Sequence, residues 1–152
     1  MRIALGSDHA GFELKREMMD FVRSLGHETI DVGAFEYDAG DDYPDFAAAL
    51  GEAVHRGKAD RGVLICGSGV GASVAANKIR GVRAGLCHDC YSAHQGVEHD
   101  EMNVLVMGSR VIGTELARDI VKQFLTAQFT GAERHVRRLA KVQELERKFM
   151  ES

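Results

Sequence analysis

The chain reads as a three-layer α/β/α domain, doubly wound about a five-stranded parallel sheet, with an extra helix at its C-terminal end. Three observations predict this. Short apolar runs closed by glycine alternate with stretches of helical periodicity along the whole chain. One run, Gly62-Val63-Leu64-Ile65-Cys66, carries no polar side chain, as a strand covered on both faces would. Hydrophobic residues make up 45% and charged residues 28% of the 152 positions, ordinary values for one globular domain.

Ile3-Ala4-Leu5 is the first strand, ending at Gly6. Phe12 to Leu25 then places apolar residues at 14, 18, 21, 22 and 25, a helical spacing that Gly26 stops. Glu28 to Val32 alternates like a strand and ends at Gly33. Tyr37 to Asp45, which holds Pro44, the only proline, reads as a long loop. Ala-rich Phe46 to Val54 is helical. The third strand, Gly62 to Cys66, runs into a glycine loop and then a helix from Ala72 to Ile79. Val82 to Cys87 is the fourth strand, Tyr91 to Gly96 a short helix, and Val104 to Met107 the fifth strand, closed by Gly108. Glu115 to Phe129 and Arg134 to Phe149 are amphipathic helices, the second strongly charged. No linker or fixed-period repeat interrupts this order, so 1–152 is read as one domain, with the helix at about 131–150 packing on a partner subunit.

Charge and cysteine content narrow the function classes. Lys plus Arg is 19 and Asp plus Glu is 23, a net −4 that argues against a general nucleic-acid binder. Three cysteines are too few for a disulfide scaffold and suit a reducing compartment. No apolar run reaches the roughly 18 residues of a membrane span. The N-terminus turns polar at Ser7-Asp8-His9, without the long apolar core of a signal peptide. The expectation is a soluble cytoplasmic protein.

In open α/β sheets, ligands bind beyond the carboxyl ends of the strands. Four polar groups fall there: Ser7-Asp8-His9, Cys66 with its loop, His88-Asp89, and Gly108-Ser109-Arg110. The strongest signal is Cys66-Gly67-Ser68-Gly69-Val70-Gly71-Ala72-Ser73. Its glycines allow a tight turn that presents backbone N–H groups, and the following helix adds its positive end, so the loop is an anion cradle. A glycine turn needed only for packing is the plainer alternative. The loop lacks the Gly-Lys-Ser/Thr ending of a P-loop. Ala72 stands where a tyrosine-phosphatase loop needs arginine. It matches the dinucleotide fingerprint only as G-x-G-x-x-A, on the third strand and not the first. Cys66 leads the cradle, where backbone donors and a helix N-terminus favour a thiolate able to act as nucleophile or base. A small buried core residue is the commoner fate of a cysteine.

Other groups are weaker. Asp8-His9 is an acid–base pair or a helix cap beside a surface histidine. Cys87-His88-Asp89-Cys90, with His94 or His99, is a thin zinc or redox signal. His99 sits in an acidic stretch, Glu98 to Glu101, and His27 and His55 sit at helix ends. Arg134 and Arg138 share a helix face, where two guanidinium groups suit a phosphate or simply solvent. As they lie on the added helix, they are candidates to complete a neighbouring subunit's site.

Seven segments together resemble one family. They are Gly6-Ser7-Asp8-His9-Ala10-Gly11-Phe12, Asp42-Tyr43-Pro44-Asp45, Ile65-Cys66-Gly67-Ser68-Gly69-Val70-Gly71, Ala75-Ala76-Asn77-Lys78, Tyr91-Ser92-Ala93, Asn103-Val104-Leu105 and Gly108-Ser109-Arg110-Val111. In order, over nearly the whole chain, they resemble the type B ribose-5-phosphate isomerases and their sugar-phosphate isomerase relatives. The resemblance implies a Rossmann-like, metal-free and cofactor-free aldose–ketose isomerase working as a dimer or a dimer of dimers. It implies that Cys66 is the base that moves a proton between two sugar carbons through an enediolate. Ser68 shuttles protons on the sugar oxygens. The backbone of Gly67, Gly69, Val70, Gly71 and Ser73 holds the enediolate oxygens, which places a developing oxyanion in the cradle where a phosphate was the simpler expectation. Asp8 and His99 fall at ring opening, and Tyr43 lines the sugar site. His9, Arg110, Arg134 and Arg138 grip the phosphate, the last two from the other subunit. The sequence departs from the family at Asp100, where an asparagine contacting sugar hydroxyls is usual. The alternatives carried forward are an isomerase of another four- to six-carbon sugar phosphate (galactose 6-phosphate, allose 6-phosphate or a tetrulose phosphate) and a non-enzymatic phosphosugar-binding module.

Overall fold

The computed structural model describes residues 1–150. Five strands, β1 (Arg2–Ser7), β2 (Glu28–Asp31), β3 (Arg61–Cys66), β4 (Ala84–Leu86) and β5 (Val104–Gly108), form one sheet in the order β2-β1-β3-β5-β4. Every neighbouring pair is parallel. Between and after them run α1 (Phe12–Ser24), α2 (Tyr43–His55), α3 (Val70–Ala76), α4 (Cys90–Asp100), α5 (Thr114–Thr126) and α6 (Glu133–Met150). No described helix is long and apolar enough to cross a membrane.

The period of two along the central strands divides the core. Val63 and Ile65 join Ile3, Leu5, Leu105 and Met107 against Met18, Val22, Ile120 and Phe124, from α1 and α5. Leu64 and Cys66 point to the other face, with Ala4, Val104 and Val106, against Ala47, Leu50, Ala72 and Ala76 of α2 and α3. Cys66 thus leaves the sheet toward α2 and α3. After β1 the chain moves outward to β2 and then returns to the other side of β1 to lay down β3. The ends of β1 and β3 therefore flank a topological switch point, the usual binding crevice of such sheets.

Several boundaries differ from the sequence reading, for local reasons. The Tyr37–Asp45 loop is shorter than expected, since α2 begins at Tyr43 with Pro44 in its first turn. Proline is tolerated there because first-turn amides have no helical acceptor. α3 starts at Val70, directly after Gly69 in the left-handed conformation (φ 81°). α4 has 11 residues, not six: Asp89 caps its start by accepting the Ser92 amide hydrogen at 2.6 Å, and the helix runs past Gly96 to Asp100, where Glu101 turns left-handed. β4 is only Ala84–Leu86, and α5 stops at Thr126, where Ala127 is extended.

Candidate active site

Three loops converge over the carboxyl ends of β1, β3 and β5. The first leaves β1 at Ser7 and turns at Asp8, whose Oδ1 accepts the Gly11 amide hydrogen at 3.2 Å. Asp8 is a turn brace more than a cap of α1, whose N-cap is Gly11. That turn crosses the end of β3 so closely that a Cβ on Gly11 would lie 2.5 Å from the Ile65 carbonyl oxygen. Asp8 is buried, and His9 beside it is half-buried.

The second is the glycine loop. Cys66 is buried, and its Sγ accepts the Gly69 N–H at 3.2 Å. Ser68 Oγ accepts the Val70 N–H at the same distance. Ser73 N–H closes the first turn of α3 on the Gly69 carbonyl at 3.0 Å. The Tyr43 ring, from the start of α2, lies over Gly71, where a Cβ would meet it at 2.5 Å. Bare backbone at Gly71 is thus what admits the phenol to the loop.

The third loop follows β5. Ser109 N–H binds the Cys66 carbonyl at 2.8 Å and Arg110 N–H the Gly67 carbonyl at 3.0 Å. The Arg110 guanidinium lies over Gly67, where a Cβ would sit 3.4 Å from Nη1. Ser109 Oγ donates to the Ala10 carbonyl at 2.7 Å, joining the first and third loops. Gly108 packs on the Ser68 carbonyl and donates its N–H to His88 Nε2 at 2.8 Å. That bond leaves the His88 ring proton on Nδ1.

Asp8, His9, Tyr43, Cys66, Gly67, Ser68, Gly69, Val70, Gly71, Ser73 and Arg110 therefore lie together around one crevice. A 490 Å³ cavity within it is lined by Asp8, His9, Asp41, Asp42, Tyr43, Pro44 and Asp45. Asp41 is a residue that sequence reasoning missed. It accepts both the backbone N–H of His9, at 3.0 Å, and a bond with His9 Nδ1, at 2.7 Å. Nothing in the order of residues distinguishes it from the three other aspartates between positions 38 and 45.

His99, Asp100, Arg134 and Arg138 do not join them. α4 starts beyond the carboxyl end of β4 and runs back, so residues 99 and 100 stand beside the start of β5. An 11-residue helix spans about 16 Å, which puts them at the opposite end of the sheet from Cys66. There the Gln95 Nε2 amide donates to His99 Nδ1 at 2.8 Å, and the His99 ring stacks on His135 with centroids 4.0 Å apart. His135 is buried and shares a 2.6 Å bond with Thr130 Oγ1. Burial first, then the neighbouring His99, Arg134 and Arg138, hold its pKa below the usual histidine value.

Among the described residues, Cys87 and Cys90 form no three-ligand group with His88, His94 or His99. Burial raises the Cys87 thiol to about 11, and Asp89 serves as the α4 cap. Among the described residues, the donor atoms close enough to share an ion are those of Asp8, His9 and Asp41, within 4.8 Å of one another. A 630 Å³ groove, lined by Val82, Met102, Leu139, Val142, Leu145 and Phe149, runs under α6 beside the edge strand β4.

A family model described as ribose/galactose isomerase matches residues 3–142. Ribose-5-phosphate isomerase B of Escherichia coli (strain K12) is 44% identical over 97% of this chain and 97% of its own length. D-erythrulose-4-phosphate isomerase of Pectobacterium atrosepticum is 40% identical over 86% of both chains. A structure of Clostridium thermocellum ribose-5-phosphate isomerase B superposes with a TM-score of 0.94 at 47% identity, covering 98% of this chain and 99% of that one. The chain belongs to the ribose/galactose isomerase family and is a sugar-phosphate isomerase.

Proposed function

We propose that the protein interconverts ribose 5-phosphate and ribulose 5-phosphate, with Cys66 as the proton-transferring base. The observation that carries this is the seat of Cys66 at the switch point: buried, with Sγ on the Gly69 N–H, at the end of the strand paired with the one that leads to Asp8 and His9, and in the loop over which the Tyr43 ring lies. An N–H donor stabilises a thiolate more than a thiol. Cys66 as thiolate takes the proton from C2 of the open-chain aldose. The electron pair moves into a C1–C2 enediolate, and the thiol returns the proton to C1. Ser68 moves the hydroxyl proton between O2 and O1, so that no atom is gained or lost. The amides of Gly69, Val70 and Ser73, expected to hold the enediolate, are already bonded within the loop, so the first-turn amides of Gly71 and Ala72, which have no helical acceptor, are the ones left for the developing charge.

The charges divide the substrate. Asp8, Asp42 and Asp45 give one wall of the crevice acceptors for sugar hydroxyls, while the Asp41 carboxylate is taken up by His9, whose imidazole faces the phosphate. Arg110, over Gly67 on the other side, suits the phosphate. His99, Asp100, Arg134 and Arg138 act at this site from a second copy of the chain, since a single protomer holds them at the far end of its sheet. The apolar groove beneath α6 and the exposed Leu145 and Phe149 fit an interface between copies. The protein works in the cytoplasm as one domain spanning 1–152, as a dimer or a dimer of dimers.

The test is isomerisation of ribose 5-phosphate with a chelator present and no metal added. Turnover with kcat/KM of about 10⁴ M⁻¹s⁻¹ or more supports the reading. Absent turnover moves the substrate to another four- to six-carbon sugar phosphate. Asp100 favours that second reading, because a carboxylate and an amide bind sugar hydroxyls differently, and the Pectobacterium relative carries the name of a four-carbon isomerase. A panel of aldose and ketose phosphates separates the two.

A further inference from the structure

The most deeply buried charge in the described chain lies outside the catalytic crevice. Lys15, on α1, is 1% exposed, and its ammonium is paired. Nζ donates to Asp31 Oδ1 at 2.8 Å and to the Ala34 carbonyl at 2.5 Å. Asp31 Oδ1 also accepts the Gly33 N–H at 2.9 Å. A buried ammonium is expensive and survives only where partners are well placed. Both partners here belong to one segment, the chain leaving β2.

That segment leads straight to the crevice. Gly33 and Ala34 are stitched to the last residue of β1, by Ser7 N–H to the Gly33 carbonyl at 2.8 Å and Ala34 N–H to the Ser7 carbonyl at 2.7 Å. Asp8 and His9 follow Ser7 directly. On the other side, the chain from Phe35 to Asp42 carries two groups back to His9. Tyr37 meets the His9 ring edge-on at 6.1 Å and the Phe12 ring at 6.5 Å, and Phe12 in turn lies 5.6 Å beneath Lys15 Nζ. Asp41 closes the circuit with its two bonds to His9.

We propose that Lys15 is a positioning residue: its bonds to Asp31 and Ala34 set the β2–α2 loop so that Asp41 and Tyr37 hold the His9 imidazole toward the sugar phosphate. The ordering is in the connectivity. Lys15 touches neither His9 nor Asp41, but it anchors the loop at the point where it departs from β2. This rests on the reading of His9 as a phosphate-facing group.

The decisive variant is Lys15→Met, which keeps the aliphatic packing and removes the charge. Asp31 is one-third exposed and is hydrated once the ammonium is gone. The expected result is a folded enzyme whose KM for the sugar phosphate rises about tenfold or more while kcat changes little. The same substitution in a His9→Gln background should then add almost nothing, because the residue it acts through is gone. Equal losses in both backgrounds overturn the proposal.

A second readout needs no activity. The Nδ1 proton of His9, held on Asp41, gives a slowly exchanging imidazole resonance, assigned by its loss in His9→Gln. Lys15→Met should abolish it, and its persistence overturns the proposal. If the wild-type enzyme turns over no sugar phosphate, the functional reading fails, but the resonance still decides the role of Lys15. Should Lys15→Met fail to fold, Asp31→Asn weakens the same anchor and is read by the same two measurements.

Discussion

His9 Nδ1 meets Asp41 Oδ1 at 2.7 Å, and that oxygen also takes the His9 backbone N–H at 3.0 Å. One carboxylate oxygen thus fixes both the ring and the main chain of a residue 32 positions away. Its other oxygen, Oδ2, is buried without a protein partner. Asp41→Asn replaces a charged acceptor with a neutral one. A hydrogen bond to a charged group contributes about 1.5–3 kcal/mol, so KM for the sugar phosphate should rise roughly 10- to 150-fold. Steady-state kinetics check this, and an unchanged KM would remove Asp41 from the binding apparatus.

Cys66→Ala should abolish turnover by a factor on the order of 10²–10⁴, the usual contribution of a positioned base. Sugar-phosphate binding should persist, because the loop amides, Tyr43 and Arg110 are untouched. Titration calorimetry beside the kinetic assay separates these effects. Near-normal turnover would assign the base elsewhere.

The separation of Cys66 from His99 makes a prediction about pairs of dead enzymes. Cys66→Ala and His99→Ala should each be inactive alone. If the protein is the dimer proposed above, mixing after dissociation and reassociation should give heterodimers with one intact and one doubly defective site. An equal mixture should recover about one-quarter of wild-type activity, since half of the dimers are mixed and half of their sites are whole. No recovery would place both residues' work within one protomer.

Gly69 and Gly71 should respond differently to a methyl group. Gly69 has φ 81°, and a Cβ there would lie 2.5 Å from Leu86 Cδ1 and 3.0 Å from the Met107 carbonyl carbon. Gly69→Ala should cost about 1–3 kcal/mol of stability by urea denaturation. In Gly71→Ala the nearest atoms to the new Cβ belong to the Tyr43 ring, an exposed side chain that can give way. That variant's stability should fall less, while KM rises because Tyr43 leaves the crevice.

His135 gives the stability a sign on the acid side. Its folded pKa lies below the ordinary 6.5, chiefly through burial, with His99, Arg134 and Arg138 adding to the shift and Asp100 opposing it. Below 6.5 the unfolded chain binds the proton that the folded chain refuses, so stability falls as pH drops. Thermal melts at pH 7.5 and 5.5 should show a loss that is smaller in His135→Gln. An equal loss in the variant would assign the acid sensitivity to another group.

Much of the architecture was legible without coordinates. Glycine-terminated apolar runs and helical spacing mark five strands and six helices, because a strand covered on both faces reads as an unbroken apolar run and a helix packed on one face keeps a period near 3.6. The Cys66 loop was legible for the same local reason: its glycines and the following helix are consecutive residues. The start of α2 was not, since Pro44 reads equally well as a loop residue or as the first turn of a helix.

What the linear chain determined was therefore local: which segments are strands, that a cradle of amides follows β3, and that polar groups close β1, β4 and β5. Tertiary structure decided the partnerships. Strand order alone puts Asp8 beside the Cys66 loop, because β1 and β3 pair across the switch point. The fold selects Asp41 from a run of aspartates by loop closure, and α4, running back against the sheet, carries His99 away from Cys66. Such pairings depend on distances between elements far apart in the chain, and residue order carries periodicity but not those distances.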